Sequence, residues 1–207
     1  MSPVKRRQRI AAEETQRVIV LAAAELFFEH GYHATSISRI AAAAGVAVQT
    51  IYNSIGSKSD LLSRVLDYAA AGERAPVSVP TFMREQAESE SDPAQIIDQL
   101  VTFWQGALKR TAPVFQVIRE AAAIDPEAAA LENKRAAQRL RNYQIAARIL
   151  KDRGALRDDL TLDQAAAAIF AIGHPEAYRT LVLEGSWNER QWANWARTTL
   201  ETALLAP

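Results

Sequence analysis

The stretch from Thr35 to Leu62, TSISRIAAAAGVAVQTIYNSIGSKSDLL, constrains the fold more than any other part of the chain. Thr35 and Ser36 are residue types that cap helix N-termini, and Ile37, Ile40 and Ala41 follow at helical spacing. Small alanines run up to Gly45, which tolerates the positive φ of a tight turn. The helix after it is only about two turns long, too short to hold without packing partners. Lys58 then opens a third helix. Two helices joined by a tight glycine-containing turn predict a helix-turn-helix, a motif whose second helix can enter the DNA major groove.

The rest of the chain also reads as helix. Alanine is abundant, no segment alternates as a strand would, and glycine and proline are rare enough to act as punctuation. A first helix is predicted over about 13–30, closed by Gly31. A fourth begins near Ser57 and fades before Pro76. Residues 77–92 form a polar linker, with REQAESESD at 84–92 as its most charged part. Asp92-Pro93 then supplies a cap and a proline at the first helical position. The helix it opens carries Ile96, Ile97, Leu100, Val101, Phe103, Trp104 and Leu108, apolar on most sides as a central helix would be. Pro113 starts the next, and Asp125-Pro126 a long one to about Arg153, ended by Gly154. Thr161/Gln164 and Asn188/Gln191 are capping boxes for two further helices, and Gly173-His174-Pro175 breaks or kinks the first of them, which resumes through Tyr178, Leu181, Val182 and Leu183. The expected fold is therefore all-α, with segments 1–56, 57–76, 77–92 and 93–207 serving as head, connecting helix, linker and second domain.

The first third of the chain resembles the N-terminal domain of the tetracycline-repressor (TetR) family. The resemblance rests on Ala22-Ala23, Leu26-Phe27, Gly31-Tyr32, Thr35-Ser36-Ile37, Ile40-Ala41, Ala44-Gly45-Val46, Thr50-Ile51-Tyr52, Ser57-Lys58 and Leu61-Leu62. Their joint spacing is far more specific than a lone helix-turn-helix pattern. Ile55 departs from the family, which usually has an aromatic residue there; an isoleucine can still fill an apolar slot. The stretch from His174 to Trp195 resembles the C-terminal end of one family branch. The resemblance implies a DNA-binding head joined to a helical domain that dimerises and usually binds a small effector.

On the second helix of the motif, Ile51 belongs inside. Val48 and Tyr52 lie four apart, as do Gln49 and Asn53, so these four share the outward face. An amide can pair bidentately with adenine and a valine can touch a thymine methyl, which makes Gln49 and Val48 the base-reading candidates. Thr50, Tyr52 and Lys58 resemble the family's phosphate-contacting positions, and their chemistry suits it. Thr35, Ser36 and Arg39 are further candidates for backbone contact. Competing readings are a plain cap for Thr35, ordinary solvated side chains for Val48 and Asn53, and a surface arginine for Arg39.

Charge supports a nucleic-acid partner for the first part of the chain. Formal net charge is zero, yet residues 1–64 hold 8 Lys/Arg against 5 Asp/Glu, and the remainder 16 against 19. Lys5, Arg6, Arg7 and Arg9 form a basic arm suited to phosphates or a minor groove; a solvated, disordered tail is the plainer reading. The chain has no cysteine and three histidines, His30, His33 and His174, without metal-ligand spacing. Asp158-Asp159 reads as surface charge, and neither a phosphate loop nor a nucleophile elbow is present. Neither enzymatic activity nor a cofactor is expected. No segment approaches the ~20 apolar residues that span a bilayer, so a cytoplasmic protein without membrane association is expected.

The remaining expectations concern the second domain. Phe103, Trp104, Phe115, Tyr143, Phe170 and His174 are candidates to line an effector cavity, with Arg119 or Arg139 as polar anchors; ordinary core packing is the competing reading. Tyr178, Leu181, Val182, Trp192, Trp195 and Leu200 are candidates for a two-fold homodimer interface, or for intrachain core. The reading that results is a homodimeric repressor, released from a double-stranded palindromic operator by a small hydrophobic or aromatic molecule. Alternatives are control by a protein partner without a ligand, and a helical enzyme or binding module with a vestigial head.

Overall fold

The computed structural model describes residues 3–71 and 92–206. Nine α-helices occur among them: α1 (Pro3–Ala34), α2 (Ile37–Ala44), α3 (Val48–Ser54), α4 (Lys58–Ala71), α5 (Pro93–Ala122), α6 (Pro126–Asp152), α7 (Leu162–Ile172), α8 (Pro175–Tyr178) and α9 (Glu189–Leu204). A π-helical turn, Arg179–Leu183, follows α8. The described residues hold no strand, only an isolated antiparallel bridge between Leu156 and Leu205. The all-α expectation is met. Most of the expected linker, 77–91, lies outside the described residues, as does the Lys5 side chain.

Two helix boundaries differ from the sequence reading. First, α1 begins at Pro3 rather than near Glu13, so the basic arm continues the helix instead of forming an irregular tail. The expected stop does occur at Gly31, whose φ of 76° breaks the helical path. Second, Pro113 does not open a new helix but lies inside α5. Proline lacks the N–H that the carbonyl four residues back would accept and normally ends a helix there. Here Val114, Val117, Ile118 and Ala121 beyond it are buried and carry the helix on. Of the two capping candidates, Ser36 caps α2, its side chain accepting the Arg39 N–H at 3.1 Å. Both predicted capping boxes form, at Thr161/Gln164 on α7 and at Asn188/Gln191 on α9.

The described residues pack as two compact units. The first takes those up to Ala71 together with Pro113–Glu132, and the second takes the rest. Thus α5 and α6 each contribute a segment to both. In the first unit Ile19, Ala23 and Phe27 of α1, Ile40 of α2, Ile51 of α3 and Leu61, Leu62 and Val65 of α4 build one core with Val114, Ile118 and Ala121. In the second, Ile96, Ile97, Leu100, Val101, Trp104 and Leu108 of α5 are buried against Tyr143 and Leu150 of α6, Ile169 of α7, and Trp192 and Leu200 of α9. The central role expected of this helix follows from burial on adjacent faces, which leaves only a narrow strip for solvent.

Candidate nucleic-acid interface

Gly45 ends α2 in the left-handed region, at φ 66° and ψ 32°, and its N–H turns back to the carbonyls of Ala41 and Ala42. The Val46 N–H adds a 3.0 Å bond to the Ala41 carbonyl, so the last turn is closed by backbone alone. A seven-residue helix follows, α3, held from below by the fully buried Ile51. Gln16 of α1 donates 2.9 Å to the Ser54 carbonyl and satisfies one of its C-terminal acceptors. Ile55 packs partly buried against the first-unit core, in keeping with an aliphatic replacement in an apolar slot.

This packing leaves one face of α3 open. Val48 is 38% and Tyr52 51% exposed, Gln49 and Asn53 lie exposed with them, and Thr50 is half-buried. The Gln49 amide nitrogen donates 2.8 Å to Asn53 Oδ1. That bond orients both amides on the exposed face and leaves each with hydrogen-bonding capacity. Arg39 is exposed on α2, its guanidinium 2.6 Å from His30 Nε2. Ser36 is exposed but spends its hydroxyl on the α2 cap.

Two candidates are drawn inward instead. Thr35 is fully buried, and its hydroxyl faces the carbonyls of Gly31 at 2.8 Å and Leu26 at 3.1 Å. It satisfies the end of α1 and cannot reach a phosphate without unpacking. Lys58 is half-buried, with Nζ 4.0 Å from the Tyr32 ring centroid and donating to the carbonyls of Tyr32 (3.0 Å) and Thr35 (3.3 Å). Burial lowers its pKa, against the pull of the Asp125 carboxylate. Tyr32 is shifted the other way, upward, by burial and by Asp125, which its hydroxyl faces. Asp125 in turn accepts the N–H groups of Glu127 (2.8 Å) and Ala128 (3.3 Å), capping α6. Ser59 Oγ donates 2.9 Å to Glu127. Sequence reading gave Asp125-Pro126 as the start of a helix but not this link to Tyr32 and Lys58, because no local pattern encodes a contact over such a separation.

In the second unit, several effector candidates come together. Trp104 and Tyr143 meet edge-on at 5.7 Å, Tyr143 and Phe170 at 6.3 Å, and Phe170 and His174 at 5.4 Å. The Arg139 guanidinium lies 5.4 Å from the Phe170 centroid and 3.2 Å from His174 Nε2. Burial pushes the Tyr143 hydroxyl up to about 12. Phe103 is partly buried against the same core. Phe115 and Arg119 belong to the first unit, Phe115 packed on that unit's core and Arg119 exposed.

The exposure expected of the last helices needs correcting for three residues. Tyr178, Trp192 and Leu200 are 1%, 0% and 0% exposed within a single chain. Tyr178 and Trp192 stack edge-on at 5.2 Å, so their aromatic area is already covered. Leu181, Val182 and Trp195 are half-buried. Among the described residues no cluster of histidine and acidic side chains could hold a metal, and no helix is long and apolar enough to cross a membrane.

Comparison with known proteins adds to this geometry. A family model described as "Bacterial regulatory proteins, tetR family" matches residues 19–65, which span the end of α1 through most of α4. The HTH-type transcriptional activator FasR of Mycolicibacterium smegmatis is 31% identical over 86 residues, covering 40% of this chain and 39% of FasR. The crystal structure of native NalD, the secondary repressor of the MexAB-OprM multidrug efflux pump in Pseudomonas aeruginosa, has a TM-score of 0.69 at 21% identity. It covers 94% of this chain and 98% of NalD. A transcriptional regulator from Aquifex aeolicus VF5 has a TM-score of 0.65 at 15% identity, covering 91% and 98%. At such identities the two structures speak for the fold, which extends the match beyond the head. The family model marks the helices from the second half of α1 into α4 as a TetR-type DNA-binding head, with α2 and α3 as its helix-turn-helix, and the shared all-helical fold extends the likeness beyond that head.

Proposed function

We propose that the protein is a homodimeric repressor that reads a palindromic operator through α3 and is released from it by a small, largely apolar effector held in the second unit. The observation that carries the DNA-reading part is the open face of α3. Val48, Gln49, Tyr52 and Asn53 project from a helix whose opposite side, at Ile51, is fully buried. Gln49 and Asn53 supply amide donors and acceptors for base edges, and Tyr52 a hydroxyl for phosphate. Arg39, with Arg6, Arg7 and Arg9 exposed on the first turns of α1, adds positive charge for the sugar–phosphate backbone.

Dimerisation fits the half-buried Leu181, Val182 and Trp195, since a palindromic site needs two heads. Repression is supported by the likeness to NalD, which is named as a repressor; FasR is named as an activator. Release by a ligand requires an effector that favours a head placement unsuited to the operator. The shared helices α5 and α6 provide covalent continuity from one unit to the other.

A second reading, control by a protein partner, is favoured by one observation. Trp104 packs so closely on Gly173 that a Cβ there would lie 2.4 Å from the indole, which leaves no room at that point for a ligand.

The test is genomic selection of binding sites, followed by a reporter with and without the protein. A palindrome with half-sites about one helical turn, ~34–36 Å, or a multiple apart is expected, together with a reporter silenced by the protein. Retention of no specific DNA would overturn the reading, and an activated reporter would overturn repression alone.

A further inference from the structure

His30 and Arg39 form a bridge from α1 to α2. Arg39 Nη2 lies 2.6 Å from His30 Nε2, a separation two nitrogens tolerate only with a proton between them. A guanidinium only donates, so the imidazole accepts at Nε2 and carries its own proton on Nδ1. The Glu29 carboxylate is 3.5 Å from the same nitrogen, which makes Arg39 its closer partner. The corner beneath the bridge is fixed. His30 directly precedes the Gly31 break in α1, and the buried Thr35 hydroxyl faces the Gly31 and Leu26 carbonyls. Ser36 Oγ holds the Arg39 N–H at 3.1 Å, so Arg39 is restrained at its backbone by the α2 cap and at its guanidinium by His30.

We propose that His30 is a positioning residue for DNA contact, its neutral imidazole holding the exposed Arg39 guanidinium where it donates to a backbone phosphate. The kind of partner matters. Arg9 pairs with Glu13 at 3.3 Å and Arg17 with Glu14 at 2.9 Å, and in each pair a carboxylate offsets the positive charge. An imidazole acceptor restrains the guanidinium without offsetting its charge, and the bridge leaves further donors of the fork for an anion. A long arginine loses rotamer freedom when it is immobilised on a ligand, and a side chain already held loses less. Phosphates carry no sequence directly, so the benefit is the same on every DNA sequence. This inference rests on the proposed DNA-binding role of the head and adds to it a residue that acts through Arg39.

The test is a double-mutant cycle on the full chain at mildly alkaline pH, where an imidazole is neutral. A duplex of the selected operator and a scrambled duplex serve as probes. His30→Leu is expected to weaken binding to both about three- to tenfold, the range for immobilising one rotamer-rich side chain. The salt dependence should keep its slope, because Arg39 keeps its charge. Arg39→Ala should weaken both complexes more and lower the slope by about one. In the Arg39→Ala background, His30→Leu should cost nothing further. His30→Gln, which keeps an uncharged acceptor, should restore wild-type affinity, a rescue that a merely structural ring would not give. Nitrogen chemical shifts of His30 in the unaltered protein supply a readout that needs no variant: the Nδ1–H tautomer is expected. The Nε2–H tautomer would overturn the proposal, as would equal losses from His30→Leu with and without Arg39. If Arg39→Ala changes neither affinity nor slope while the operator is still bound, the positioning role falls and reading by α3 stands. If the unaltered protein retains neither duplex, the DNA-binding role falls as well.

Discussion

The Lys58 ammonium stands 4.0 Å over the Tyr32 ring and donates 3.0 Å to the Tyr32 carbonyl, so the first residue of α4 closes the last turn of α1. A cation at a helix C-terminus meets the negative end of the dipole and satisfies carbonyls that the helix itself cannot. Losing it strands those acceptors in a half-buried place. Lys58→Met is therefore expected to destabilise the protein by ~1.5–3 kcal/mol, read from the urea midpoint. The salt dependence of DNA binding should keep its slope. A slope reduced by about one would instead return Lys58 to the phosphate contacts.

Asp125 links the same corner to α6 and gives it a pH signature. Burial alone would raise its pKa, yet the N–H groups of Ala128 and Glu127, the Tyr32 hydroxyl and Lys58 together hold it below the usual 3.8. The folded protein then binds fewer protons than the unfolded chain between the two values. The resulting stability is fully present above 3.8 and is lost as the pH falls through the lower, folded value. Asp125→Asn keeps a capping oxygen but not this charge. The gap in thermal stability between wild type and variant should be constant at higher pH and close below 3.8; a gap that persists unchanged into acid would contradict the assignment.

The Gln49–Asn53 bond ties the two amides together on the exposed face of α3 proposed to read DNA. Gln49→Ala should relax preference at one base pair by ~1–3 kcal/mol. Asn53→Ala should weaken the same preference by removing the acceptor that orients Gln49. Site selection with both variants checks this. An unchanged selected sequence with Gln49→Ala would remove Gln49 from base reading.

Gly173 faces Trp104 with no room for a methyl group, since a Cβ would lie 2.4 to 2.7 Å from three indole atoms. Gly173→Ala must push the indole or the α7–α8 break aside, at a cost of ~1–3 kcal/mol. Near-ultraviolet circular dichroism and the unfolding midpoint should both change. A variant as stable as wild type would mean that the Trp104 ring has freedom its burial does not suggest.

Much of this protein was legible in local patterns. Apolar spacing placed the helices, Gly45 and Gly154 marked two of their ends, and both capping boxes formed where Thr161 and Asn188 announced them. These features depend on residues within one turn of each other, so the sequence carries them whole. Pro113 shows the limit: local chemistry says stop, and burial of Val114, Val117 and Ile118 against α1–α4 outweighs it. Thr35, Lys58, Tyr178 and Trp192 show it again. Each is a residue type suited to a surface role, and each was drawn inside by partners distant in sequence, Leu26 for Thr35, Tyr32 for Lys58, and the packing of α8 on α9 for the last two. The sequence by itself determined most of the helices and which face of α3 is exposed. Only the tertiary structure decided which polar groups face solvent and which face one another, as at Arg139 and His174, because burial and hydrogen-bond partners are set by contacts between distant residues and not by spacing along the chain.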